Sequence, residues 1–121
     1  MKYDRQTIYG QPPSKSNRYR IIRTPGGKCG IADSPALLKY EQLFFMQCGL
    51  RNRKISQRFR FDVDVYFSSD RPDLDNSLKV ILDCLQKFGA IKNDRLCVEI
   101  HARKLIDKKN PRIEFTIEEI C

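Results

Sequence analysis

Phe59-Arg60-Phe61-Asp62-Val63-Asp64-Val65-Tyr66-Phe67 runs through Ser68-Ser69-Asp70-Arg71-Pro72 into Asp73-Leu74-Asp75-Asn76-Ser77-Leu78-Lys79, and the hydrophobic period changes on the way. In the first run Phe59, Phe61, Val63, Val65 and Phe67 alternate with Arg60, Asp62, Asp64 and Tyr66. A period of two makes a strand with one buried face. Beyond the turn, Leu74, Leu78, Ile81, Leu82, Leu85 and Phe88 recur at helical spacing. That pattern predicts an amphipathic helix over 75–88, ended by Gly89. A strand that feeds an amphipathic helix through a short turn decides for a chain that mixes both elements around one sheet.

Downstream, 96–105 and 112–120 read as strands, separated by the turn Asp107-Lys108-Lys109-Asn110-Pro111. Their closeness predicts an antiparallel hairpin. Upstream, 3–9 reads as a short strand. Residues 10–35 hold Gln11-Pro12-Pro13-Ser14-Lys15 and Thr24-Pro25-Gly26-Gly27-Lys28, breaker signals that predict a long basic loop. Ser34 is a fitting N-cap with Pro35 at the first helical position, so a helix is expected to about 48, with Gly49 as its stop. No repeat or linker divides the chain. The expectation is an α+β (mixed α/β) fold in one domain over 1–121. It has a mixed sheet of about four strands with two packed helices, in the order β-α-β-α-β-β.

The bulk numbers narrow the function. The chain has 121 residues and a formal net charge of +8, with 40% hydrophobic and 31% charged residues, which is a globular rather than a disordered composition. No apolar run reaches the ~18 residues of a membrane span. The start, Met1-Lys2-Tyr3-Asp4-Arg5-Gln6, lacks the apolar core of a signal peptide, so a cytoplasmic location is expected. Cys29, Cys48, Cys84, Cys97 and Cys121 are scattered without a C-x-x-C pair. They read as reduced packing thiols rather than zinc ligands or a disulfide framework. Residues 1–60 carry 13 Lys and Arg against 3 Asp and Glu, whereas 61–121 carry 10 against 12. A basic half attracts nucleic-acid phosphates. Acids within such a surface repel them unless a cation bridges the two.

Those acids form a pattern. Asp73 and Asp75 stand two apart at a helix start, Lys79 follows one turn after Asp75, and Asp94 lies at the next element boundary. Asp75, Lys79 and Asp83, at i, i+4 and i+8, share one stripe. Carboxylate oxygens suit a hard cation such as Mg²⁺, which keeps waters and substrate phosphate as its other ligands. Such an ion would activate a water and polarise a phosphate, with Lys79 touching the reacting phosphate or orienting the attacking water. Each residue also has a plainer reading. Asp75 serves as an N-cap, Asp73 and Asp94 as turn acids, and Lys79 as a solvated helix residue. Asp83 would pair with Lys79 or Lys87, and Asn76 is a helix-start residue or a partner of the acids. His101, between Glu99 and Arg103, reads as a surface or interface histidine rather than a general base. Arg18-Tyr19-Arg20 mixes an aromatic with cations, as binders of single-stranded or distorted DNA do.

The chain resembles the RusA family of Holliday junction resolvases. The likeness rests on Arg71-Pro72-Asp73-Leu74-Asp75-Asn76-Ser77-Leu78-Lys79, Asp83 in the same helix, Phe88-Gly89 and Asn93-Asp94-Arg95. Pro12-Pro13-Ser14 with Asn17-Arg18-Tyr19, and the closing Ile113-Glu114-Phe115-Thr116-Ile117, extend it over nearly the full length. Pro72 stands where the family often has a basic residue, with Arg71 one position earlier, and the gap from Ser14 to Asn17 is one residue longer than the family's. The resemblance implies a homodimeric crossover junction endodeoxyribonuclease that uses Mg²⁺, with Mn²⁺ as a substitute, and cuts four-way DNA by paired symmetric nicks. It implies metal binding by Asp73, Asp75 and Asp94 and a catalytic Lys79, with Asn76 and Asp83 behind them. Lys15, Asn17, Arg18, Arg20 and Arg71 are the expected DNA contacts. Neither a membrane nor a small-molecule substrate is implied. Two rival readings remain: a DNA- or RNA-binding module without catalysis, and a less selective metal-dependent nuclease.

Overall fold

The computed structural model describes residues 1–13, 19–23 and 29–120. Its elements in chain order are β1 (Gln6–Tyr9), β2 (Tyr19–Arg23), β3 (Cys29–Asp33), α1 (Pro35–Gln47), β4 (Phe59–Phe67), α2 (Leu74–Lys87), β5 (Cys97–Ile106) and β6 (Arg112–Glu119). The expected α+β order is present, with one addition. Within the span read as a loop, β2 and β3 pair antiparallel as a separate two-stranded sheet. Tyr19, Ile21, Ile22 and Ile31 are β-formers, and the breakers between the two runs bracket strands rather than replace them.

The main sheet has the order β1-β6-β4-β5. β4 is its spine, antiparallel to β6 and parallel to β5. The predicted β5–β6 hairpin is therefore wrong: the two strands flank β4 and do not touch as a ladder. The cause is α2. It carries the chain back to the amino end of β4, so the next strand must run parallel to β4, as any helical crossover requires. The chain then steps over the end of β4, where the Asp107 amide donates to the Phe67 carbonyl at 2.9 Å. It returns on the far side as β6, which hydrogen-bonds both β4 and β1.

One face of this sheet makes the core. Every second residue of β4 is buried, as its alternation requires, and Ile113, Phe115 and Ile117 of β6 join it. α1 closes over them through Phe44, whose ring stacks at 6.3 Å on both Phe115 and Phe88. α2 contributes Val80, Ile81, Cys84 and Leu85. Both helices start and stop where expected to within a residue. Ser34 caps α1 by accepting the Leu37 amide at 3.2 Å. Gly89, at φ +74°, takes the left-handed turn that ends α2. The segment after α1 is stapled to that turn: the Asn52 amide donates to the Phe88 carbonyl, and that of Lys54 to Gly89. Cys48, Cys84 and Cys97 are free thiols, the first two buried, in keeping with the packing role expected of them. Among the described residues no helix is long and apolar enough to cross a membrane.

The opposite sheet face is charged. Asp64 accepts from Arg5 and Arg103, Glu114 from Arg5 and Arg112, and the Arg112 guanidinium lies 3.8 Å over the Tyr66 ring.

Candidate active site

The turn after β4 delivers Asp73 to the start of α2. Two contacts hold that turn in place. Lys104 of β5 reaches Asp70, donating to its carbonyl at 2.7 Å and pairing with its carboxylate at 3.2 Å. The Ser68 amide donates to Gln11 Oε1 at 2.8 Å, which brings the segment after β1 to the same end of the sheet. Arg71 is exposed on this turn.

Asp73, rather than Asp75, is the N-cap residue of α2, and its side chain makes no capping bond. A capping carboxylate normally accepts an N–H of the first turn. Here Asp73 accepts only the side-chain amide of Asn76, at 3.4 Å. Asp75 lies in the first turn and accepts the Asn76 backbone N–H at 3.0 Å. Both carboxylates are exposed at the positive end of the helix, where negative charge is favoured. Below them the buried Ser77 hydroxyl donates to the Leu74 carbonyl at 2.6 Å and fixes the first turn.

One turn further on, Lys79 bridges two acids. Its Nζ lies 3.0 Å from Asp83 Oδ1 and 3.4 Å from Asp94 Oδ2. The hydrogen bond and charge of Asp83, and then those of Asp94, raise the Lys79 pKa and keep its ammonium charged. Lys79 thus brings Asp94 onto the stripe that begins at Asp75, although Asp94 sits in a short turn nineteen positions later in the chain, at Asp94–Leu96. Asp94 is itself set by Gln86, whose Oε1 accepts its backbone N–H at 2.9 Å.

The carboxylates have the oxygen chemistry a hard divalent ion needs. Their placement does not make a ready cage: among the described residues no group of three or more His, Cys, Asp or Glu side chains is placed to hold a metal ion. Asp73 and Asp75 occupy the helix start, and Asp94 pairs with Lys79 farther along. The structure therefore joins Asp94, Lys79 and Asp83 directly, and Asp73 to Asn76, but not the three acids to one another.

Of the expected DNA contacts, Lys15, Asn17 and Arg18 lie outside the described residues, and Arg20 belongs to β2. His101 pairs with Glu99 at 2.8 Å on the exposed β5, in line with a surface role. Sequence reading passed over Gln86 and Lys104. Gln86 was in reach, because it continues the helical stripe of Asp75, Lys79 and Asp83 by one more turn. Lys104 carried no local signal, since its partner Asp70 is thirty-four residues away.

A model of the endodeoxyribonuclease RusA family matches residues 10–118. A crossover junction endodeoxyribonuclease RusA of Aquifex aeolicus (strain VF5) is 34% identical over 100 residues, which cover 80% of this chain and 76% of the relative. The matched span contains β4, α2 and the whole acid stripe, and on these two agreements the chain belongs to the RusA family of endodeoxyribonucleases.

Proposed function

We propose that this protein resolves four-way DNA junctions, as a homodimer that hydrolyses one phosphodiester bond in each of two opposed strands. The observation that carries the reading is the exposed stripe on α2: a charged lysine held between two carboxylates, with two more carboxylates at the helix start. A phosphate drawn in by the basic surface would meet Lys79 as the cation nearest the acids. Lys79 would turn from Asp94 to the phosphate and stabilise the charge that builds on its oxygens. Asp94, positioned by Gln86, would orient the attacking water, and Asp83 would hold Lys79 in place. Arg71, on the turn beside Asp73, would contact the neighbouring phosphate, and Lys15, Asn17, Arg18 and Arg20 would extend that track.

A divalent cation, Mg²⁺ or Mn²⁺ in its stead, supplies an activated water and phosphate polarisation in such chemistry. Asp73, Asp75 and Asp94 are the residues proposed to take it. Since they do not stand as one group in the free chain, this part of the proposal requires that DNA and cation draw them together. A two-fold dimer suits the substrate, because it offers equivalent sites to two opposed strands.

That the acids do not stand as one group favours one rival, a junction-binding module in which they are only solvated surface carboxylates. Asp73→Asn with Asp75→Asn separates the two. Under the proposal the double variant binds a fixed junction as the wild type does, and its Mg²⁺-dependent nicking falls by at least about a hundredfold, the scale of losing a main catalytic group. Nicking at the wild-type rate would remove these acids from the mechanism.

A further inference from the structure

β5 ends the sheet on one side, so the outer row of its backbone donors and acceptors has no strand partner among the described residues. It is ten residues long. Edges of that length are normally blunted by proline, by a bulge or by a charged side chain turned onto the edge. β5 contains no proline, and its one irregularity lies at its start, opposite Phe59 and Arg60. From Glu99 to Ile106 the pairing with β4 is regular. Lys104, the lysine that could guard the edge, is tied to Asp70. On the helix side, Ile100 and Ile106 remain 43% and 52% exposed. On the other side stand exposed Glu99, His101 and Arg103. A strip of apolar side chains beside free backbone is what an added strand covers.

The sequence of that strip complements itself. If two copies of β5 meet antiparallel about His101, Glu99 of each lies opposite Arg103 of the other, and Ile100 lies opposite Ala102. Centring on Arg103 would set two arginines face to face. Centring on Ala102 would set His101 against Arg103. Centring on Ile100 would set Glu99 against His101 and Arg103 against Cys97, leaving no carboxylate opposite the arginine. Opposite charges across a strand pair stabilise it, and like charges do the reverse.

The geometry points to β5 as the surface on which a second copy of this chain docks, strand to strand about His101, so that two four-stranded sheets become one of eight. This interface rests on the homodimer of the proposed function and assigns it a place. It is isologous, as two-fold symmetry requires. It relates the two α2 stripes by the same axis.

Sedimentation velocity of the full chain without DNA tests it, because that readout does not depend on cleavage. The wild type is expected to sediment as a dimer. Glu99→Arg replaces two attractive cross-strand pairs by two repulsive ones and should weaken the dimer roughly 10- to 100-fold. Adding Arg103→Glu to it should restore the dimer. Arg103 also holds Asp64, so Ile100→Lys provides a variant that spares that pair, and thermal melts show that each variant is folded. It too should dissociate. A wild type that stays monomeric at all concentrations overturns both the interface and the dimer. A dimer that survives Glu99→Arg and Ile100→Lys overturns the interface alone. A folded double swap that stays dissociated also overturns it.

Discussion

Lys79 makes the site, in that without it Asp94 would be one more turn acid and Asp83 one more exposed helix residue. Because the lysine is largely solvent-exposed, its ion pairs contribute little to stability. Lys79→Met is therefore predicted to cut junction nicking by at least about a hundredfold while changing stability by no more than about 0.5 kcal/mol. Single-turnover kinetics and a thermal melt on the same preparation check both halves. A second residue-scale prediction concerns acid. Arg103 first, and Arg5 after it, hold the Asp64 carboxyl below its usual range, and Arg112 and Arg5 do the same for Glu114. A depressed folded pKa gives stability that is present above the unfolded value and lost as pH falls through the folded one. Stability should thus decline below about pH 4, where free carboxylates protonate. Asp64→Asn should flatten that decline, as read by urea midpoints along a pH series. Local signals were enough to single out Asp73, Asp75, Lys79 and Asp94 as candidates, because Asp75, Lys79 and Asp83 share one helical stripe and Asp73 and Asp94 stand at element boundaries that can be read from the chain. That the acids do not converge was not legible, because it depends on where the turn after α2 sets Asp94 along the helix.

The elements with a strong hydrophobic period were readable from their own residues, whereas the pairing of the strands was not. The strict alternation of β4 and the apolar stripe of α2 produced the strand and helix they predict, and Ser34-Pro35 and Gly89 fixed the ends. β2 and β3 were missed because prolines and glycines outweighed short runs of β-formers. The false β5–β6 hairpin arose from nearness in sequence, which cannot show that a buried strand needs partners on both sides. Gly89 allows a sharp test of the α2 end. At φ +74° an added Cβ is strained, and it would come within 3.2 Å of Asn52 Oδ1. Gly89→Ala should cost about 1–2 kcal/mol. Tyr40 runs the other way. Its hydroxyl is buried with no hydrogen-bond partner among the described residues, and burial pushes its pKa well up. An unpaired buried hydroxyl carries a desolvation penalty, so Tyr40→Phe should leave stability unchanged or add up to about 1 kcal/mol. Chemical denaturation of both variants decides these points, and a large loss for Tyr40→Phe would show that the hydroxyl has a partner.

At the scale of the whole molecule, charge and topology serve the same end. The net charge of +8 supplies an attraction for DNA that ignores sequence, so junction affinity should fall steeply with salt. Composition could announce a polyanion partner but not its shape. Under the proposed dimer, selectivity for a branched molecule would depend on how two copies present their α2 stripes, which is a property of the assembly. The most direct test of the central claim is a nicking assay of the purified protein on a fixed four-way junction and on a linear duplex of the same sequence, each with Mg²⁺ or with EDTA. Paired symmetric nicks in the junction alone, abolished by EDTA, are the predicted result. Equal cutting of the duplex would contradict junction selectivity, and tight junction binding with no cut in either Mg²⁺ or Mn²⁺ would contradict the catalytic role of the acid stripe.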